Sequence, residues 1–237
     1  MSLARRWNQQ GRVIILSETT DEPLELMGRF AGECWGANTQ NHENNTRRGL
    51  ECIKSGHGRV MEYPQIYLVL DGWSARVIRE VMRHNGGDPT YLQASTRYIN
   101  YKDFHYVTPP SIENNAKAKA AYNSLMDNIS STLNYLETDC GIKREDAGMI
   151  LPLGMTTKVV MRTNLRMLYD MAKVRKCTRA YWEFRELFKE IEDALCIYSD
   201  EWEYLIKDYK IFRRKCEWDG GCTEAKSCGF MPKKEDK

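Results

Sequence analysis

No stretch of the 237 residues approaches the roughly 20 consecutive apolar residues that a membrane-spanning helix needs. The amino-terminal MSLARRWNQQGRVIIL is basic but lacks the apolar run of a signal peptide, so a cytoplasmic protein with no membrane partner is expected. Charge of one sign is lacking too: 35 Lys and Arg against 33 Asp and Glu give little reason to expect a nucleic-acid polymer as partner. Anion recognition must therefore be local. Short Cys-x2-4-Cys knuckles and internal repeats are also missing.

Eight cysteines are present, but Cys34, Cys52, Cys140, Cys177 and Cys196 are scattered through amphipathic sequence. A chain of this length buries roughly 70 to 75% of its unfolded surface and needs no disulfide staples, so reduced thiols are expected. Cys216, Cys222 and Cys228 cluster in a Gly-rich, charged end. A structural zinc knot, with Cys196 as fourth thiolate, is one reading of them and a reduced, frayed tail is the other; no metal is assigned. The expected organisation is one domain over residues 1–212 and a Cys/Gly-rich tail over 213–237.

Arg12–Leu16 and Gln65–Leu70 read as strands, β-branched or aromatic runs bounded by Gly, Pro and Asp. PLELMGRFAGECWG and TRRGLECIKSG have helical spacing, the latter stopped by Gly56. Ser74 is a plausible N-cap for a helix running to His84, with Val77, Ile78, Val81 and Met82 as its apolar stripe and Arg79 and Arg83 on one flank. Tyr122 to Leu136 predicts a long helix closed near Gly141, and Lys143–Ile150 a short one. Thr156–Thr163 reads as a strand, Asn164–Arg175 as a helix, and a last helix is expected over about 180–212.

The stretch RHNGGDPTYLQASTRY, Arg83 to Tyr98, joins cations to small side chains that expose backbone N–H groups. That combination suits a phosphate, which needs fixed donors and a bidentate cation; a solvated basic loop has the same composition. Asn164, Arg166, Asp170 and Arg175 form a second set, readable on spacing alone as solvated helix charges. Ser95 has no histidine following it in a nucleophile-elbow setting, and no cysteine stands in a Pro-Cys context, so a covalent nucleophile is not indicated.

Together these segments resemble the flavin-dependent thymidylate synthases. Arg83-His84-Asn85 followed by Ser95-Thr96-Arg97 is similar to the family's Arg-His-Arg and Ser-x-Arg signature. SGHGRVMEY resembles its Gly-His and Glu-His segment, and LPLGMTTKVVMRTNLRMLYDMAKVRKCTRAYWEF resembles its Leu-Pro, Asn-x-Arg, Arg and Gln-Trp-Glu run. The likeness covers roughly residues 25 to 200.

The resemblance implies an α+β fold, a twisted, mainly antiparallel sheet packed with helices, assembled as a homotetramer with active sites between subunits. It implies a methyltransferase without an enzyme-bound nucleophile, taking dUMP to dTMP with FAD, methylenetetrahydrofolate as one-carbon donor and NADPH as reductant. His57, Arg59, Glu62, Arg83, His84, Asn85, Asn164, Arg166 and Asp170 would bind the cofactor. Glu80, Gln93, Ala94, Ser95, Thr96 and Arg97 would hold the pyrimidine nucleoside monophosphate. Arg175 would lie against the pyrimidine as an electrostatic catalyst, and Ser95, also a catalytic candidate, would serve as a phosphate or backbone donor.

The chain departs from the pattern at identifiable places. Asn85 replaces the signature's last arginine, and the Gly86-Gly87-Asp88-Pro89 hinge lengthens the spacer. Glu80 stands for a Gln, Gly148 for a substrate-holding Arg, and Tyr181 for the Gln before Trp182-Glu183. Lys143 and Lys158 are the cations considered as compensation. The alternatives are a relative acting on another pyrimidine nucleotide such as UMP, one ending in hydroxymethyl, or a flavin- and nucleotide-binding protein without turnover.

Overall fold

A computed structural model describes residues 5, 6, 11–86 and 89–234, with the backbone only at Arg5 and Arg6. Gly87 and Asp88 of the hinge lie outside the described residues. In chain order the strands and helices are β1 (Arg5–Arg6), β2 (Arg12–Ile15), α1 (Pro23–Trp35), α2 (His42–Lys54), β3 (Gln65–Ser74), α3 (Ala75–Val81), β4 (Thr90–Gln93) and β5 (His105–Tyr106). They continue with α4 (Pro110–Glu113), α5 (Ala116–Thr138), α6 (Arg144–Ala147), β6 (Thr156–Asn164), α7 (Leu165–Arg175), α8 (Trp182–Tyr198), α9 (Asp200–Glu203) and α10 (Lys215–Trp218). The expected α+β architecture with a mainly antiparallel open sheet is present: the four-stranded sheet runs β2-β3-β6-β4, and β1 pairs separately and in parallel with β5.

The central strands follow from side-chain alternation. Ile66, Leu68 and Leu70 on β3 are fully buried, as are Val159 and Met161 on β6, with more exposed neighbours between them. Each such side chain contributes about 1.5–3 kcal/mol of burial.

Two compact units partition the chain. The first comprises Met1–Arg12, Leu70–Met82 and Leu92–Val160, and among its described residues Phe104, Tyr106, Met126 and Met155 form a core cluster. The helix α3 begins where Ser74 accepts a hydrogen bond from the Val77 N–H at 3.1 Å, as expected of an N-cap. It stops at Val81, however, so Arg83 stands beyond its end instead of sharing a helical flank with Arg79.

The second unit comprises Val13–Val69, Arg83–Tyr91 and Met161–Lys237. Its α1 and α2 cross closely: a Cβ on Gly28 would come within 1.7 Å of the Asn45 carbonyl oxygen, and one on Gly49 within 2.1 Å of the Leu24 carbonyl oxygen. The expected last helix is broken at Ser199, whose extended backbone (φ −156°, ψ 159°) ends α8 and caps α9. The cysteine-rich end is tied down. The Cys222 N–H donates to the Pro232 carbonyl at 2.7 Å, the Lys234 N–H donates to the Cys222 carbonyl at 2.9 Å, and the Arg214 guanidinium lies 3.8 Å from the Phe230 ring centroid.

Candidate active site

The cofactor candidates fall in the second unit. A cavity of about 400 Å3 is lined by Glu62, Arg83, His84, Asn85, Arg166 and Asp170, together with Gly86 and Met167. Three segments supply them: the 3-10 turn Gly58–Glu62, the residues after α3, and the first turns of α7. Gly58 permits the approach, because a Cβ there would meet Arg166 Nη1 at 2.4 Å.

Arg166 Nε donates to Asp170 Oδ2 at 2.8 Å across one helical turn, and this hydrogen bond holds the guanidinium above its ordinary pKa. Lys173 Nζ lies 3.1 Å from the other Asp170 oxygen, and Arg59 Nη1 4.0 Å from Glu62 Oε2. Arg83 and Arg166 are thus the two arginines of the lining, alongside the carboxylates of Glu62 and Asp170, with which Arg59 and Lys173 pair from outside it; guanidiniums so placed suit a ligand pyrophosphate. The volume lies within the roughly 300–1,000 Å3 usual for small-molecule sites.

His57 and Arg59 do not line this cavity. They open instead onto a second one of about 390 Å3, with Phe30, Trp35 and Tyr63 as its aromatic wall. Phe30 and Tyr63 meet edge to face, with ring centroids 5.0 Å apart. Asn164 is placed in neither: it is buried, and its Oδ1 accepts the Met167 N–H at 2.9 Å as the N-cap of α7.

Arg175 ends α7 and its Nε donates to His84 Nε2 at 2.8 Å. An Nε–H can only donate, so in this contact the His84 Nε2 is the acceptor. Phe184 braces both groups, 4.8 Å below the Arg175 guanidinium and edge-on to the His84 ring at 5.8 Å. Tyr91 reaches back to donate to the His84 carbonyl at 2.9 Å, and burial pushes its hydroxyl up to about 12, so it stays a neutral donor. The bracing by Phe184 and Tyr91 was not read from sequence, although Phe184 directly follows the Trp182-Glu183 pair.

The nucleotide candidates fall in the first unit. Gln93 closes β4 with Nε2 3.5 Å from Thr157 Oγ1, and the Ala94 N–H donates to the Lys158 carbonyl at 2.8 Å. Ser95 Oγ accepts the Arg97 N–H at 3.1 Å and the Ile99 N–H donates to the Ser95 carbonyl at 3.2 Å, which makes residues 95–99 a tight turn. The Ser95 oxygen thus accepts within the turn, and its O–H keeps its capacity to donate. Gly148 packs under it, its Cβ position 3.6 Å from the Thr96 carbonyl oxygen.

Arg97 Nε donates to Glu145 Oε2 at 3.0 Å, and Arg144 Nη1 donates to the Tyr98 carbonyl at 2.9 Å. Neither α6 residue was singled out from sequence, since nothing in a separation of nearly fifty positions announces the contact. Glu80 lies half-buried in the last turn of α3. Lys158, considered as a compensating cation, lies 3.4 Å from Asp71.

In the second unit, Cys177, Cys216, Cys222 and Cys228 line a cavity of about 320 Å3 that Arg175 also borders; Cys196 is not among them. The eight cysteines are all free, and among the described residues no group of three or more His, Cys, Asp or Glu is placed to hold a metal ion. No helix of the described residues is long and apolar enough to cross a membrane.

The family Thy1, thymidylate synthase complementing protein, matches residues 15–196. The flavin-dependent thymidylate synthase of Nitratidesulfovibrio vulgaris is 29% identical over 242 residues, covering 93% of this chain and 95% of that protein. That of Thermococcus kodakarensis is 32% identical over 174 residues, covering 71% and 69%. Among solved structures, flavin-dependent thymidylate synthase ThyX from Helicobacter pylori, complexed with FAD and dUMP, superposes with a TM-score of 0.66 at 21% identity over 83% of this chain and 98% of that one. At that identity the likeness speaks for the fold.

Proposed function

Since the chain belongs to the flavin-dependent thymidylate synthase family and is an enzyme of its methyltransferase type, we propose that it methylates dUMP to dTMP with FAD as its flavin. In this reading methylenetetrahydrofolate is the one-carbon donor and NADPH the reductant, and the protein acts in the cytoplasm as a homotetramer. The observation that carries the proposal is the cavity in which Arg83, His84, Asn85 and Arg166 meet, with Arg175 hydrogen-bonded to the His84 of that lining.

The donor set fits FAD. Arg83, Arg166 and the Asn85 amide would hold the pyrophosphate, and Glu62 and Asp170 would fix the cations that do so. The aromatic wall beside His57 and Arg59 suits a planar ring. When bound, FAD supplies the hydride that completes the methyl group.

The remaining roles belong to side chains of the chain. Arg97, the Ser95 hydroxyl and the backbone N–H groups of Ser95 and Thr96 would bind the phosphate of the nucleotide. Arg175 would hold positive charge against the uracil carbonyl on which negative charge develops, and preorganisation is what makes such a donor effective. Its stacking on Phe184 and its bond to His84 supply that preorganisation.

The purified chain is expected to be yellow or to give a flavin difference spectrum when FAD is added, and to consume NADPH in the presence of methylenetetrahydrofolate and dUMP with formation of dTMP. A colourless chain that leaves the FAD spectrum unchanged would overturn the reading. Running dUMP, UMP and dCMP side by side identifies the acceptor, and product from UMP or dCMP alone would reassign the substrate.

A further inference from the structure

The two guanidiniums at the 94–98 turn are held in unlike ways. Arg144 is fixed: besides its bond to the Tyr98 carbonyl, its Nε lies 3.5 Å from Glu137 Oε2, and Glu137, only 9% exposed at its side chain, also faces Lys102 at 3.9 Å. Arg97 is loosely tied: its ion pair with Glu145 at 3.0 Å has side chains 62% and 43% exposed. An exposed pair of that kind contributes little and is readily exchanged.

The chemistry at Arg97 is nevertheless that of an occupied anion site. A carboxylate oxygen sits on Nε, the backbone of the turn is already shaped by the Ser95 hydroxyl, and Arg144 anchors the far end of the turn at Tyr98. A phosphate monoester carries about −1.5 to −2 charges and three acceptor oxygens, against a single charge on Glu145. It can therefore displace the carboxylate, whereas an unphosphorylated nucleoside brings nothing to exchange.

We infer that Glu145 holds the place of the substrate phosphate at Arg97 and is displaced when a nucleoside monophosphate binds, so that Glu145 sets how tightly the phosphate is held. This rests on the reading of the 94–98 turn as the nucleotide site. Glu145 keeps Arg97 oriented and its charge neutralised until a dianion arrives, and it subtracts from phosphate affinity. Removing its charge therefore tightens nucleotide binding.

The test is calorimetric titration of the full-length, FAD-loaded chain with dUMP and with deoxyuridine, comparing wild type, Glu145→Gln, Arg97→Ala and the double variant. Glu145→Gln is expected to bind dUMP roughly two- to fivefold more tightly and deoxyuridine as before. In the Arg97→Ala background the same change is expected to have no effect on dUMP. Glu145→Ser, which shortens the side chain and cannot reach Arg97, should tighten dUMP in the same direction, and circular dichroism checks that each variant folds.

Unchanged dUMP affinity in both Glu145 variants, equal tightening of deoxyuridine, or tightening that persists without Arg97 would overturn the role of Glu145 alone. A folded wild type that binds none of dUMP, UMP and dCMP would overturn the nucleotide reading beneath it.

Discussion

At the scale of single residues, the proposed function assigns its central roles to two arginines with different supports. Arg175 is fixed by His84 and Phe184, so its replacement removes a positioned charge together with the hydrogen bond to His84. Arg175→Ala is expected to lower kcat by about 100- to 1,000-fold, the usual cost of losing a transition-state donor, with the FAD absorbance spectrum retained. Steady-state NADPH oxidation alongside a flavin spectrum measures both. In the proposed function Arg97 would face the substrate phosphate, where a charge-assisted contact is worth about 1.5–3 kcal/mol, so Arg97→Ala should weaken dUMP binding about 10- to 100-fold. Wild-type kinetics in both variants would remove the assignment. Both residues became candidates in the sequence through the resemblance of their short motifs, since spacing alone read Arg175 as a solvated helix charge. The engagement of Glu145 and Arg144 with the turn was not legible there, because contacts between distant positions leave no periodic signal.

At the scale of elements, the close crossing of α1 and α2 depends on two glycines whose missing side chains let the backbones approach. Gly28→Ala places a methyl where only backbone is tolerated, and an overpacking cost of about 1–3 kcal/mol is expected. Thermal unfolding should show it as a fall in Tm of roughly 2–4 °C per kcal/mol. Asn164→Ala removes the cap of α7 and should cost about 1 kcal/mol by the same assay. The sequence displayed β3 and β6 clearly because burial alternates along them, and α5 because its apolar spacing and the positive φ of Gly141 bound it. It hid the break at Ser199 inside a run of helical spacing. A capping signal was nonetheless present: Ser199 precedes Asp200 and Glu201, accepts the Trp202 N–H at 3.4 Å, and leaves Glu201 to cap α1 through the Leu24 and Glu25 N–H groups. The end of α3 at Val81 was misread for a related reason: the apolar stripe continues to Met82, but the residues from Arg83 to Tyr91 belong to the other compact unit.

At the scale of the whole molecule, the proposed nucleotide turn and the proposed cofactor cavity belong to different compact units. Large apolar side chains are exposed around the turn, with Leu92 at 69%, Tyr98 at 74% and Met149 at 85%, as expected of surface covered in an assembly. The homotetramer of the proposed function predicts about four times the 27.7 kDa chain mass by light scattering. If the active sites lie between subunits, a site can draw its Arg97 from one subunit and its Arg175 from another. Arg97→Ala and Arg175→Ala would then be defective as separate tetramers yet complementary when co-expressed, because randomly mixed assemblies contain sites in which both arginines are intact. For a site drawing one arginine from each of two subunits, equal mixing restores about a quarter of wild-type dTMP formation. Co-expressed tetramers of normal mass with no more activity than the separate variants would instead place both arginines of each site on a single chain.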